Sequence, residues 1–288
     1  MDWLDKMNCA LDYIEENLSE DIDFAIIAQK ACCSSYNFQR MFSFIANIPL
    51  AVYIRQRRMT IAAQELQNSD VKVIDLAVKY GYDSPISFAR AFQVIHGVTP
   101  SSARNEGVTL KSHSKISFQI SIKGDISMDY RIEKKKAFNI VGAKFPVPSD
   151  MDENFKIVPG IWRKAEEEGM VSEIAKICDV DETKVISLSA NIAEEICDFY
   201  IAIESDIKDF PEKFCSIEIP SATWAVFISK GEMPMASQNM WRRIFTEWLP
   251  DSEYEITDKP EFERYLYNEN SKDLCGCEIW IPVVKRQS

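Results

Sequence analysis

The stretch Asp75-Leu76-Ala77-Val78-Lys79-Tyr80-Gly81-Tyr82-Asp83-Ser84-Pro85-Ile86-Ser87-Phe88-Ala89-Arg90-Ala91-Phe92, with Gly97-Val98-Thr99-Pro100-Ser101 behind it, decides the fold of the first third of this chain. Val73, Leu76, Ala77 and Tyr80 recur at helical spacing. Gly81 should end that helix, because glycine readily takes the left-handed conformation a helix terminus needs. Ser84-Pro85 should start another. A serine there accepts a bond from an unpaired backbone N–H, and proline lacks an N–H where none would be bonded. A short helix, a tight turn and a second helix form a helix-turn-helix.

The pattern occurs twice. Ala28-Gln29-Lys30-Ala31-Cys32-Cys33 aligns with Ala77-Val78-Lys79-Tyr80-Gly81-Tyr82, and Phe38, Arg40, Phe42 and Ile45 align with Phe88, Arg90, Phe92 and Ile95. The four phenylalanines are core positions. An arginine recurring at the same place has no packing reason to do so, and points to a shared polar task. Apolar spacing predicts further helices over 3–18, 24–31, 36–46 and 49–66, and Thr99-Pro100 opens a last short one. Residues 1–106 therefore read as an all-α domain.

The texture changes after that. Residues 107–127 begin polar and serine-rich, as a linker does. Residues 128–288 mix strands with few helices, an α+β domain. Strand-like runs are Ile116–Ile122, Phe138–Phe145, Val185–Ile192, Cys197–Glu204, Trp224–Ser229, Arg264–Tyr267 and Glu278–Val283. Helix-like stretches lie near Val158–Glu168, Val171–Cys178 and Ala236–Trp248.

Net charge is −12 over 288 residues, which as an average argues against a nucleic-acid partner. Its distribution reverses that. Residues 1–23 sum to −7, residues 24–104 to +5, and the remainder to −10. A basic segment between acidic ones is an electrostatic footprint for a polyanion. The acidic remainder should suppress non-specific binding, which is supplied mostly by phosphate contacts. No apolar run approaches the roughly 20 residues that span a bilayer, and the acidic N-terminus is unlike a signal peptide. The expectation is a cytoplasmic protein with no membrane partner. Eight cysteines lack C-x-x-C spacing and only two histidines occur, so the cysteines read as reduced, small buried hydrophobes and neither metal nor cofactor is expected.

The runs Ser34-Ser35-Tyr36-Asn37-Phe38-Gln39-Arg40-Met41-Phe42 and Tyr53-Ile54-Arg55-Gln56-Arg57-Arg58-Met59 resemble the first half of an AraC/XylS DNA-binding domain, and Asp75–Ser101 resembles its second half. The likeness spans about residues 8–105. Cys32 departs from it, standing where family members often carry glycine. The resemblance implies that Ser35, Tyr36, Gln39 and Arg40 face DNA from the first recognition helix, and Ile86, Ser87 and Arg90 from the second. Gln39 suits an adenine edge, Arg40 a guanine edge or a phosphate, and Ile86 a thymine methyl. Arg55, Arg57 and Arg58 follow the first unit, and Arg55 and Arg57 are candidate phosphate contacts, which position without specifying. Two recognition helices on one chain would reach successive major grooves about 34 Å apart. The expected partner is then double-stranded DNA with an asymmetric operator, with RNA polymerase as a further partner.

Residues 128–288 resemble a GyrI-like effector-binding domain. The carriers are Pro159-Gly160-Ile161-Trp162, Ile219–Phe227, Glu247-Trp248-Leu249-Pro250, Phe262-Glu263-Arg264-Tyr265 and Glu278-Ile279-Trp280-Ile281-Pro282-Val283. The order, DNA-binding unit first, is similar to that of the Rob-type members of the AraC family. This resemblance implies a duplicated strand-helix fold around a cleft, with Glu263 at the family's acidic position. A carboxylate there favours a lipophilic cationic effector and hence multidrug sensing. Candidate wall residues are Trp162, Tyr200, Trp224, Tyr265 and Trp280, since aromatic faces attract cations. Strand alternation puts Glu278 on one face with Trp280, so Glu278 joins the candidate set. The competing readings are core packing for the aromatics, a hydrolase using Glu263 with Glu278 as acid and base, and a protein-docking module. With no histidine in this domain, no catalytic residue is expected and the chain reads as a regulator.

Overall fold

The computed structural model describes residues 3–118, 127–149, 151–190, 196–268 and 273–286. The chain divides into two compact units, Met1–Ile120 and Ser121–Ser288.

The first unit is helical: α1 (Trp3–Glu16), α2 (Phe24–Ala31), α3 (Ser35–Ala46), α4 (Leu50–Asn68), α5 (Val73–Lys79) and α6 (Pro85–His96), closed by a short 3-10 turn at Ser102–Arg104. The caps act as their chemistry dictates. Asp23 accepts from the Ala25 amide at the start of α2, Ser34 from Asn37 at α3, and Ser84 from Ser87 at α6 behind Pro85. Gly81 ends the α5 turn at φ +74, and a side chain there would meet the Arg58 guanidinium at 3.3 Å. The equivalent turn after α2 puts Cys32 at φ 52, a conformation costing a non-glycine residue on the order of 1–2 kcal/mol. A buried cluster joins Met59, Ala62, Ala63 and Leu66 of α4 to Leu76, Ala77 and Tyr80, and to Phe88 and Phe92 of α6. Phe38 and Phe42 of α3 are fully buried too.

Residues 107–118, expected to belong to a linker, lie along this unit. Ile116–Phe118, expected to begin a strand whose remainder lies outside the described residues, has no strand partner among the described residues. Its amides at Ile116 and Phe118 donate instead to the Tyr53 hydroxyl and the Asn8 side chain.

The second unit is one antiparallel sheet with helices. Its strands are β1 (Tyr130–Lys135), β2 (Phe138–Pro148), β3 (Ile186–Ala190), β4 (Ile196–Glu204), β5 (Cys215–Ile219), β6 (Ala222–Lys230), β7 (Tyr254–Ile256), β8 (Glu261–Tyr267) and β9 (Leu274–Lys285). Its helices are α7 (Met151–Glu167), α8 (Met170–Ile177), α9 (Met235–Arg243), which continues through a π turn at Ile244–Trp248, and the short α10 (Leu249–Asp251). The order in the sheet is β1-β6-β9-β8-β3-β4-β2-β5, with β7 on β9. Two strand-helix-strand-strand repeats account for it. β2, α7 with α8, β3 and β4 form one; β6, α9, β8 and β9 form the other. They meet at the β3–β8 pair, where Ser187 opposes Glu263.

The two faces differ. One carries the aromatic cluster Trp224, Phe262, Trp280 and Tyr200 with Ile186, Leu188 and Val226. The other packs Ile201, Ile203, Phe199 and Ala143 against Ala165, Ile174, Ala175 and Trp162 of the helices. The sequence reading missed the short strands β1, β5 and β7.

Candidate functional site

The second recognition helix, α6, presents an open face. Ile86 is 67% exposed, and Ser87 and Arg90 beside it are exposed as well. Their i, i+1, i+4 spacing continues into Gln93 and into Val94, which is 82% exposed. Neither Gln93 nor Val94 was singled out from sequence, although helical periodicity puts both on the same stripe. A solvated isoleucine and valine with an arginine between them suit a groove offering methyls and acceptors.

The first recognition helix differs. Ser35, Tyr36 and Gln39 are half-buried, and Gln39 Nε2 donates to Ser35 Oγ at 3.2 Å. Arg40, expected on the DNA face, is only 2% exposed, with its guanidinium 5.7 Å from the Tyr36 ring centroid. Its side chain is enclosed here and is not presented as a base contact. Arg57, expected on phosphate, is also turned inward. It pairs with Glu15 at 2.7 Å and donates to the His113 carbonyl. Burial pushes the Glu15 carboxyl up, but the bonds from Arg57 and Tyr53 outweigh it and hold it below the usual carboxylate range. Arg58 donates to the Leu18 and Glu20 carbonyls. Arg55 is exposed. Position in sequence could not separate these arginines, because their partners lie some 40 residues away in α1 and the loop after it.

In the second unit the candidate pocket residues fall into two groups. Glu263 and Tyr265 share one face of β8, and register puts Ser187, Cys277 and Ile279 on that face. Trp162 of α7 meets Tyr265 edge-on with ring centroids 5.0 Å apart. Helix α9 supplies the rest. Glu263 Oε1 accepts from Ser237 Oγ at 2.5 Å and from Trp241 Nε1 at 2.8 Å. The Tyr265 hydroxyl donates to Ser187 Oγ at 2.9 Å. Burial pushes the Glu263 carboxyl up, the Ser237 and Trp241 bonds pull it back, and the charge of Glu261 pushes it further up. Burial and the neighbouring Glu263 raise the Tyr265 hydroxyl and the Cys277 thiol in turn. Among the described residues no lysine or arginine pairs with Glu263. Trp162, Glu263 and Tyr265 all keep some exposed surface. Sequence reading missed Ser237 and Trp241, which lie more than 20 residues before Glu263.

Trp224, Tyr200 and Trp280, expected in the same wall, belong to the opposite face. They are 0%, 2% and 1% exposed. Phe262 stacks on Trp280 at 5.0 Å and meets Trp224 edge-on at 5.0 Å, so these rings are core. Burial and the charge of Asp198 push the Tyr200 hydroxyl up to about 12. Glu278 shares that face and accepts from Trp280 Nε1 at 3.0 Å. It already has cations: Arg131 at 2.8 Å and Arg264 at 3.8 Å, both set over the Trp280 ring. The wall expected from seven aromatic and acidic positions is therefore split by the sheet itself. The acid–base pair of Glu263 with Glu278 is excluded for the same reason, since successive register pairs put them on opposite faces.

None of the eight cysteines is in a disulfide; only Cys197 and Cys277 are buried, while Cys32 and Cys275 are exposed. Among the described residues no group of three or more His, Cys, Asp or Glu could hold a metal ion, and no helix is long and apolar enough to cross a membrane.

Comparison with known proteins bears on both units. Residues 131–283 match the family of integron-associated effector binding proteins, and residues 27–106 match a helix-turn-helix domain family. The HTH-type transcriptional activator AarP of Providencia stuartii is 43% identical over 92 residues, 32% of this chain and 68% of that one. Regulatory protein SoxS of Salmonella typhimurium is 34% identical over 95 residues, 33% of this chain and 89% of that one. Among solved structures, SAV2435 bound to tetraphenylphosphonium covers 55% of this chain and 94% of its own, at 20% identity and a TM-score of 0.48.

Proposed function

We propose, for a chain that belongs to the AraC-type helix-turn-helix transcription regulators and to the integron-associated effector binding proteins, that the effector is a lipophilic cation held at Glu263. The protein is a DNA-binding regulator with an effector-binding domain. One observation carries the choice of effector: a largely enclosed carboxylate that accepts bonds from neutral donors, with no cationic side chain paired to it among the described residues. Such a charge is costly to bury alone, so a cation arriving there gains what the protein leaves unmet. Trp162 and Tyr265 give the cation ring faces, worth up to about 2 kcal/mol when dry. A quaternary phosphonium or ammonium carrying aryl groups fits this chemistry.

On DNA, we assign the α6 stripe of Ile86, Ser87 and Arg90 to one major groove and the exposed parts of Ser35, Tyr36 and Gln39 on α3 to the next. Arg55 takes the phosphate role proposed for this region; Arg57 is occupied by Glu15. Contact with RNA polymerase is part of the proposal, following from the regulator's role. The curated relatives are transcriptional regulators, and the separation of Glu263 from Glu278 removes the carboxylate pair that a hydrolase would use.

Tryptophan fluorescence tests the effector reading, because Trp241 and Trp162 bracket the site. Titrating the full chain with tetraphenylphosphonium should give saturable quenching that Glu263→Gln loses. Equal quenching in Glu263→Gln would overturn the assignment of the site.

A further inference from the structure

Residues Leu110–Phe118 form an extended strap with no partner strand among the described residues. Four of its amides are bonded to side chains instead. Lys111 donates to His96 Nδ1 at 3.2 Å, His113 to Thr60 Oγ1 at 3.1 Å, Ile116 to the Tyr53 hydroxyl at 3.1 Å, and Phe118 to Asn8 Oδ1 at 2.8 Å. Asn8 Nδ2 returns a bond to the Phe118 carbonyl at 3.1 Å, and Arg57 donates to the carbonyl of His113. Lys115 pairs with Asp12 of α1 at 2.6 Å.

The acceptors lie in a telling order. His96 ends α6, Thr60 and Tyr53 lie on α4, and Asn8 is on α1. The strap thus begins on the second helix-turn-helix, runs along the connecting helix and finishes on the first. Both ends have apolar anchors. Leu110 packs on the core made by α4, α5 and α6. Phe118 is buried, with its ring edge-on to Phe42 of α3 at 6.0 Å. His96 holds its end in place by donating from Nε2 to the Met59 carbonyl at 3.1 Å. So the strap touches both recognition helices themselves, through His96 of α6 and Phe42 of α3, at points about seven residues apart along it.

We propose that this strap is a positioning element for DNA reading: it fixes α3 and α6 relative to each other, and so sets the spacing between the two base-pair blocks the protein accepts. The inference rests on the two-groove reading above. Two recognition helices joined by one helix and a few packed side chains can rock about that helix, and each rocking motion relaxes the distance the DNA must present. A second connection, bonded at four backbone amides and anchored at both ends, removes that freedom. Asn8, Thr60 and Phe118 lie away from the proposed groove-facing stripes and act through the helices.

The test uses duplexes enriched from a random-sequence library by the full-length chain. The two protected blocks are mapped by footprinting, and one base pair is then inserted or deleted between them. This moves one block by about a tenth of a helical turn. The parent protein should lose about tenfold or more in affinity for the altered spacings. Phe118→Ala and Asn8→Ala should reduce that discrimination to about twofold, while affinity for a duplex carrying only one block stays at the parental value. A purely structural role would lower affinity for all duplexes alike. Asn8→Ala removes only strap bonds from a half-buried surface, so it reports even where Phe118→Ala fails to fold. Parental spacing discrimination in folded Asn8→Ala, or a uniform loss on every duplex, would overturn the proposal. A parent protein indifferent to spacing would instead overturn the two-groove reading beneath it.

Discussion

Glu263 and Glu278 occupy adjacent strands of the same sheet, and both have a tryptophan indole N–H donating to them. Beyond that they differ in every respect that matters for binding. Glu278 faces two guanidiniums and closes an ion-pair ladder over a sealed aromatic core. Glu263 faces Ser237, Trp241 and a partly open pair of rings, with no cation of its own among the described residues. The same side chain is a finished structural group on one face and an unfinished site on the other. What decides between them is the residue opposite: arginines on β1 and β8 for Glu278, and the neutral side chains Ser237 and Trp241 of α9 for Glu263.

The largest expected effect separates the two sets of rings. Trp280→Ala should destabilise the effector domain by about 3–5 kcal/mol, the usual cost of emptying a packed aromatic site, as read by thermal unfolding. Trp162→Ala should cost little stability but weaken tetraphenylphosphonium binding by up to about 2 kcal/mol. The reverse pattern would mean that the sealed cluster is the pocket.

A smaller effect follows from the raised Glu263 carboxyl. The folded state holds this proton more tightly than the unfolded chain does, so stability is greatest below the ordinary value of 4.5 and falls as pH rises through the raised folded value. In Glu263→Gln that slope should vanish, and at neutral pH the variant should unfold at the same or a higher temperature than the parent. Cation affinity in the parent should rise over the same pH window, as the carboxylate becomes charged. A stability profile identical in both proteins would mean that Glu263 does not carry a buried charge.

The smallest effect is on the finished face. Arg131 and Arg264 remain substantially exposed, so solvent screens their attraction. Glu278→Gln should cost under about 1 kcal/mol in thermal unfolding and leave cation binding unchanged.

The sequence carried most of this architecture and less of its chemistry. Ser34, Ser84, Pro85 and Gly81 mark their turns by local backbone preference, and that is why both helix-turn-helix units could be read directly. Alternation along Glu278–Val283 correctly separates two faces, because the strand period is local as well. What alternation cannot say is which face is sealed. That depends on Phe262 and Trp224 arriving from other strands, so the candidate wall mixed the residues of both. Arg40 and Arg90 align in the repeat yet end up enclosed and exposed respectively, since tertiary packing differs between equal local patterns. The strap escaped notice for a related reason. Its polar residues look like a linker, and the side chains that satisfy its amides are 15 to 110 residues distant in sequence.

One titration tests the central claim most directly. Calorimetry of tetraphenylphosphonium binding should be run on the parent chain, Glu263→Gln and Glu278→Gln at the same pH. The account predicts saturable binding in the parent and in Glu278→Gln, and a loss of about tenfold or more in Glu263→Gln. Undiminished binding in Glu263→Gln, or its loss in Glu278→Gln alone, would contradict the account.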